Sequence, residues 1–301
     1  MIAPGDLYEP APLHVRIAST LTLATMLCSG CAVPPHEASP AVADRSKAPA
    51  SSVPASSTAP RAWRLVWSDE FDGSAGSSID RRKWGFDTRG GGWGNQELQT
   101  YTDRTSNVRQ NGHGQLEIIA RAEAFDHHDY TSARIHTAKR FTQRYGRFEA
   151  RIRVPSGAGI WPAFWLLGDD LDSAGWPACG ELDIMEVVRD FRVVHGTAHG
   201  PGYSLGKELT ATHELASGSL ADDFHIYAIE WEPDVVRWYV DDTRYERRTP
   251  ADLPWGARWA YDHPFFVLLN LAVGGNFPGP PDASTRFPQT MTVDYVRVYA
   301  R

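Results

Sequence analysis

The chain has 301 residues, 42% of them apolar, with 30 basic side chains against 37 acidic ones and a formal charge of −7. That length fits one large domain or two ordinary ones, and the apolar fraction excludes global disorder. The acidic balance argues against a nucleic-acid partner, which needs a basic face. There are 11 tryptophans, an excess that goes with a large β core, with flat faces for a ligand, or with both. The three cysteines supply neither a disulfide framework nor a spaced zinc set.

Residues 17–27 form a short apolar run after Arg16, too short to span a bilayer and of the length of a signal-peptide core. Residues 1–14, with Asp6, Glu9 and three prolines, do not read as the basic segment that precedes such a core. One reading therefore places the translation start downstream, at Val15. The apolar run enters Cys28-Ser29-Gly30-Cys31, which resembles a lipobox with Cys31 as the lipidated residue, although Cys28 stands where that pattern usually has Leu. The expectation is an exported protein anchored to the cell envelope by lipid. The alternative is an ordinary secretory signal with an incidental cysteine.

Residues 32–60 hold 8 Ala, 6 Pro and 6 Ser among 29 positions and no aromatic side chain. Such a stretch buries too little surface to offset its ordering entropy, so it reads as an extended or disordered tether. The expected domain therefore runs over 61–301, and it is read as a monomer.

Within it, strand signals dominate. Residues 114–124 alternate around Leu116, Ile118 and Ala120. Residues 145–154 alternate Phe148, Ala150, Ile152 and Val154 against Arg147, Glu149, Arg151 and Arg153. Residues 225–231 and 235–240 flank Glu232-Pro233-Asp234, a strand–turn–strand signal, and 290–299 is rich in Val and Tyr. No stretch carries a capped amphipathic helix over three turns, and no short internal repeat is visible. The pattern predicts an all-β sandwich.

The segment WPACGELDIME at 176–186 sets three acids among apolar, β-prone residues. In a strand Glu181 and Asp183 share one face, with Leu182 and Ile184 turned to the core. Strict alternation would then expose Met185 and bury Glu186, and an unpaired buried carboxylate is costly. One extra residue absorbed near Met185, a β-bulge, returns Glu186 to the acid face. Like charges this close raise at least one pKa, which suits a general acid standing beside a nucleophile. On the residues alone two other readings stay open: a solvated strand face whose acids pair with Arg or Lys, and a calcium site.

The same segment resembles the bulged E-x-D-x-x-E signature of glycoside hydrolase family 16, and its surroundings are similar to the laminarinase (endo-β-1,3-glucanase) branch. The matching stretches are WSDEFD at 67–72, GWGNQELQ at 92–99, QRYGRFE at 143–149, GIWPAFWLLG at 159–168, LNLAVGGN at 269–276 and VDYVRVY at 293–299. The resemblance implies a curved β-sandwich jelly roll with a concave substrate cleft, and a retaining mechanism without a catalytic cofactor. It implies Glu181 as nucleophile, Glu186 as general acid/base and Asp183 between them, the two glutamates about 5–5.5 Å apart. It implies that His199 reaches the acids.

As subsite candidates the resemblance implies Trp93, Asn95, Glu97, Trp161, Trp176 and Asn276, since indole stacks on a pyranose face and amides bond its rim. Core packing is the expectation for Trp165, Trp231 and Trp238. Glu70, Gly114 and Asp294 match positions that imply a structural calcium, with strand-end hydrogen bonding as the alternative for the two acids. The substrate expectation is β-1,3-glucan, with mixed-linkage β-1,3-1,4-glucan as a secondary substrate. Agar, carrageenan, or a non-catalytic glucan-binding role are the alternatives. The cleft candidates are aromatic and amide rather than basic, which suits a neutral polysaccharide.

Overall fold

The computed structural model describes residues 62–301, which form one compact unit, Ala62–Arg301. The signal segment, Cys31 and the 32–60 tether lie outside the described residues. In chain order the strands are β1 (Arg64–Asp69), β2 (Gly85–Asp87), β3 (Gln99–Tyr101), β4 (Val108–Gln110), β5 (Leu116–Phe125), β6 (His128–Ser132), β7 (Arg134–His136), β8 (Gly146–Arg153) and β9 (Ile160–Gly168). They continue with β10 (Glu181–Glu186), β11 (Val193–His199), β12 (Leu209–Glu214), β13 (His225–Glu232), β14 (Val235–Val240), β15 (Thr243–Arg248), β16 (Phe265–Val273) and β17 (Gln289–Ala300). Among the described residues the α-helical content is a single turn, α1 (Leu171–Ala174), as the lack of a 3.6-residue period predicts.

The strands build two sheets that pack as a jelly-roll sandwich. One is seven-stranded, in the order β12-β11-β10-β9-β16-β7-β2. The other has ten strands, with β15-β14-β13-β8-β17-β5-β6-β3 in sequence, β1 added on β17 and β4 on β5. Alternation explains the core. In β8, Phe148, Ala150 and Ile152 are fully buried while Arg151 and Arg153 are not. They face Leu182, Ile184, Phe164, Leu166, Val267 and Leu269 from the seven-stranded sheet in one continuous apolar cluster. Trp231 and Trp238 are buried in that cluster, as expected.

Strand β16 departs from alternation, since all nine of its residues are buried. It lies between β9 and β7, covered on its core face by the opposite sheet and on its outer face by side chains such as Trp165. That outer face of the seven-stranded sheet carries the site.

Candidate active site

The bulge predicted near Met185 is present. Along β9 the partners of Asp183 and Met185 are Trp165 and Phe164, so β10 spends one extra residue there. Along β11, Asp183 pairs with Thr197 and Glu186 with His195, and the register slips in the same place. Ile184 and Met185 both turn into the core, completely buried, and Glu186 regains the face of Glu181 and Asp183.

Strand register lays out the rest of that face. One row runs Arg134, Asn270, Ala163, Glu186, His195. The next runs His136, Leu268, Trp165, Asp183, Thr197, and a third Phe266, Leu167, Glu181, His199. Leu167, Phe266, Leu268 and Cys179 form a small apolar cluster against which Trp165 and Trp176 pack. This removes water from the carboxylates.

Each glutamate has its own indole. Trp176 Nε1 donates to Glu181 Oε2 at 2.9 Å, and Trp161 Nε1 donates to Glu186 Oε1 at 3.0 Å. His199 Nε2 lies 3.2 Å from Asp183 Oδ2 and 3.9 Å from Glu181 Oε1. These are ion-pair approaches rather than aligned hydrogen bonds, since Asp183 Oδ2 makes none. Burial, with the neighbouring Asp183 charge, pushes Glu181 up to about 7, against the opposing pull of His199 and Trp176. Burial and the charge of Asp183 push Glu186 well above the usual carboxylate range. Burial opposes the charge on His199, but the Asp183 contact and the surrounding glutamates outweigh it and raise its pKa to about 10. The site therefore holds one imidazolium among three acids, with the Glu181 anion favoured by His199, Trp176 and Arg134 and the Glu186 anion by His199 and Trp161.

The flanking candidates divide into two kinds. Trp161 and Trp176 are half-buried and touch the acids directly. Trp93 sits in the short turn Gly92–Gly94, its ring between the guanidinium groups of Arg89 and Arg134 at 4.5 and 4.7 Å. Asn95 and Asn276 are exposed and tie two loops together, the Asn276 N–H donating to the Asn95 carbonyl at 2.7 Å. Glu97, implied by the resemblance as a subsite residue, lies mostly out of solvent. It is buried and accepts hydrogen bonds from Gln99 Nε2 at 2.7 Å and Tyr101 Oη at 3.0 Å. Tyr101 in turn receives Asn270 Nδ2 at 3.3 Å, and Asn270 Oδ1 receives Trp165 Nε1 at 2.8 Å. Glu97 thus anchors a network that orients the wall of the cleft.

Trp165 is a correction. It was expected in the core beside Trp231 and Trp238, yet it lies half-buried on the acid face, with Arg134 4.7 Å from its ring. Two-residue alternation from Trp161 carried that signal. Arg134, His195 and Phe277 were not anticipated. Arg134 lies on a three-residue strand too short to show a period, and it pairs with Asp87 at 2.9 Å. Phe277 stands edge-on to Trp161 and to His195 at 5.6 and 5.2 Å, so it crosses the face beside Glu186.

The residues implied for calcium do not form a carboxylate cage. Glu70 accepts two hydrogen bonds from Arg297 at 3.0 and 2.8 Å, which hold its pKa below the usual carboxylate range. Asp294 pairs with Arg151 at 2.9 Å. A Cβ placed on Gly114 would find Asp72 Oδ1 and the Glu70 carbonyl oxygen nearest, at 3.6 and 3.9 Å. Both oxygens of Glu70 are thus held by Arg297, whereas Asp294 engages Arg151 through Oδ2 alone. Among the described residues the one group of three donors close enough for a metal is Glu181, Asp183 and His199, and burial together with the charge on His199 disfavours a cation there.

A two-sheet jelly roll with paired, desolvated glutamates on its outer face defines a glycoside hydrolase. The sequence profile of the glycosyl hydrolases family 16 matches residues 95–297, and the chain belongs to that family. It is 47% identical to a beta-glucanase of Rhodothermus marinus over 79% of this chain and 85% of that protein. The laminarinase catalytic domain of Thermotoga maritima MSB8 superposes with a TM-score of 0.76 at 46% identity, covering 80% of this chain and 99% of that one. The endo-beta-1,3-glucanase of Pyrococcus furiosus gives 0.75 at 44% identity, with 79% and 94% covered.

Proposed function

We propose that the domain cuts β-1,3-glucan internally, with retention, using Glu181 as nucleophile and Glu186 as general acid/base. The bulge at Ile184–Met185 carries this reading, because it puts both glutamates on one face in surroundings that treat them differently. Glu181, steadied by Trp176 and His199, attacks the anomeric carbon while the glycosidic C–O bond breaks. The proton held on Glu186 goes to the leaving oxygen. Glu186 then takes a proton from water, whose oxygen displaces Glu181 and frees the enzyme. Asp183 keeps His199 charged, and so tunes both steps.

Trp161, Trp176 and Trp165 offer aromatic faces to the pyranose rings, Trp93 with Arg89 and Arg134 on its ring shapes the rim, and Asn95 and Asn276 offer amides there. A release assay on laminarin, beside lichenan, agarose and carrageenan, tests the reading. The expected result is an early ladder of short laminari-oligosaccharides with slower cutting of lichenan. Glucose alone from the outset overturns internal cleavage, and agarose or carrageenan activity without laminarin hydrolysis overturns the substrate.

The chain is read as an exported lipoprotein held by Cys31, supported by the apolar run at 17–27 and the Ala/Pro/Ser tether. Release of the Cys31→Ser protein from membranes is the expected outcome in a bacterial host. Retention of that variant on membranes overturns the anchor.

A further inference from the structure

The bulge that turns Glu186 outward has a support on its hidden side. Trp238 lies on β14, in the ten-stranded sheet, and is 1% exposed. Its indole N–H crosses the sandwich and donates to the main-chain carbonyl of Asp183 at 2.8 Å. Asp183 is the last residue of β10 in regular register before the slip, the place where a bulge leaves the ladder irregular. This indole N–H meets β10 at its one irregular point.

The neighbouring strand is shaped to let it through. Gly196 of β11 lies between His195 and Thr197, with its bare face to the core. A Cβ there would stand 2.6 Å from Trp238 Cδ1 and 2.3 Å from Tyr245 Oη, closer than real Cβ contacts allow. Gly196 has no left-handed backbone to accommodate, so close approach by these two rings is what its lack of a side chain serves. Tyr245 Oη itself is buried without a hydrogen-bond partner, so the phenol packs beside the indole and does not replace its donor.

We propose that Trp238 is a positioning residue for the glycosidase reaction: through the Asp183 carbonyl it holds the Ile184–Met185 bulge, and thereby keeps Glu186 on the cleft face. The inference rests on the role assigned to Glu186. Without the indole donor the Asp183 carbonyl loses its buried partner, and the strand relaxes toward regular alternation, which draws Glu186 inward or loosens it. A shift of about 1 Å at a reacting group costs on the order of 10²-fold in rate.

Trp238→Phe keeps an aromatic ring and removes the N–H. Its kcat on laminarin is expected to fall about 10- to 100-fold with KM little changed. The pH–rate profile should move as well. The surroundings of Glu186 include Glu181 and Asp183 on its own strand, His195 and His199 from β11, Trp161 from β9 and the Tyr245 phenol behind them. A loosened Glu186 changes its distance to these groups and to water, so the alkaline limb shifts. Trp84→Phe is the control, because Trp84 is fully buried and gives its N–H to Asp69 Oδ2 at 2.7 Å, away from β10. It should lower the melting temperature without moving kcat or the profile.

Should Trp238→Phe not fold, benzothienylalanine at position 238 keeps the bicyclic shape and lacks the donor, and the same loss is expected. Glu186→Ala is measured in parallel. Near wild-type activity in that variant overturns the site reading. Loss of activity there, with an unchanged kcat and profile in folded Trp238→Phe or the benzothienyl protein, overturns this inference alone.

Discussion

Acids stand in two contrasting regions of this domain. On the β1/β17 side, Glu70 and Asp294 each meet an arginine at hydrogen-bonding distance, and their side chains are 37% and 30% exposed. On the outer face of β10, Glu181, Asp183 and Glu186 are packed among one another with His199 as the nearest cation, and Asp183 and Glu186 fall below 10% exposure. The consequence is opposite in sign. Arg297 lowers the pKa of Glu70, while burial raises those of Glu181 and Glu186. A paired exposed carboxylate is a modest structural tie. A desolvated one among like charges is destabilising at neutral pH, and that stored cost is what makes it reactive.

The sharpest way to break the contrast is to remove the acids of β10. Glu181→Ala should abolish turnover, with azide giving an inverted α-glycosyl azide. Glu186→Ala should lose about 10²–10⁴-fold in kcat, and azide should then yield a product of retained configuration. Product anomers read by NMR decide the two roles, and near wild-type activity in either variant would sink them.

Next in size is pH. Activity should fall on the acid side as Glu181 takes up its proton near pH 7, and on the alkaline side as Glu186 gives up its own. The same groups set stability. Their folded pKa values lie above the unfolded value, so the folded state gains stability as pH falls and loses it as pH rises. Glu186→Gln should therefore raise the melting temperature at pH 8 by several degrees, at about 2–4 °C per kcal/mol. The gain should shrink as pH falls toward the ordinary glutamate value of 4.5. His199 has the same sign over a higher window: its stabilising charge is complete below 6.5 and is lost as pH rises through about 10. Thermal melts across pH 4–10 with each variant measure both windows, and a Glu186→Gln gain that does not depend on pH would contradict the assignment.

At the other region, effects should be small. Glu70→Ala should cost about 1 kcal/mol or less and leave kcat untouched, as for other partly exposed ion pairs. Calcium added after EDTA should move the melting temperature by less than about 2 °C, because the side-chain donors already have arginine partners. A larger, saturable rise would place an ion on the oxygens near Gly114. The smallest effect belongs to the N-terminus. A chain starting at Arg61 should fold and cut glucan with unchanged kcat, and a cooperative loss of stability would show that the preceding segment packs on the domain.

Much of the site was legible because a strand has a period of two. The conflict between that period and Glu186 announced the bulge, and the bulge stands where the register slips. The same rule applied from Trp161 puts Trp165 on the acid face, against the general burial of tryptophan. Strands β5, β8, β13, β14 and β17 fall within two residues of their expected limits, marked by alternation in β5 and β8, by the Glu232-Pro233-Asp234 turn between β13 and β14, and by Val and Tyr in β17. The short strands β2, β3, β4 and β7 show no period and were not foreseen.

By itself the sequence determined an all-β domain, the acid strand with its bulge, and membership of a hydrolase family, because period, composition and local motif are all carried by neighbours in the chain. Only the tertiary structure decided which partners those acids meet. Arg134 reaches Trp165 through β16, Trp176 and His199 come to Glu181 from either flank, and Trp238 crosses from the other sheet to Asp183. These contacts span up to 136 positions, as between Arg134 and Asn270, and are set by strand order. The raised pKa values of Glu181 and Glu186 follow from that packing, since desolvation belongs to a place in the fold and not to a residue type.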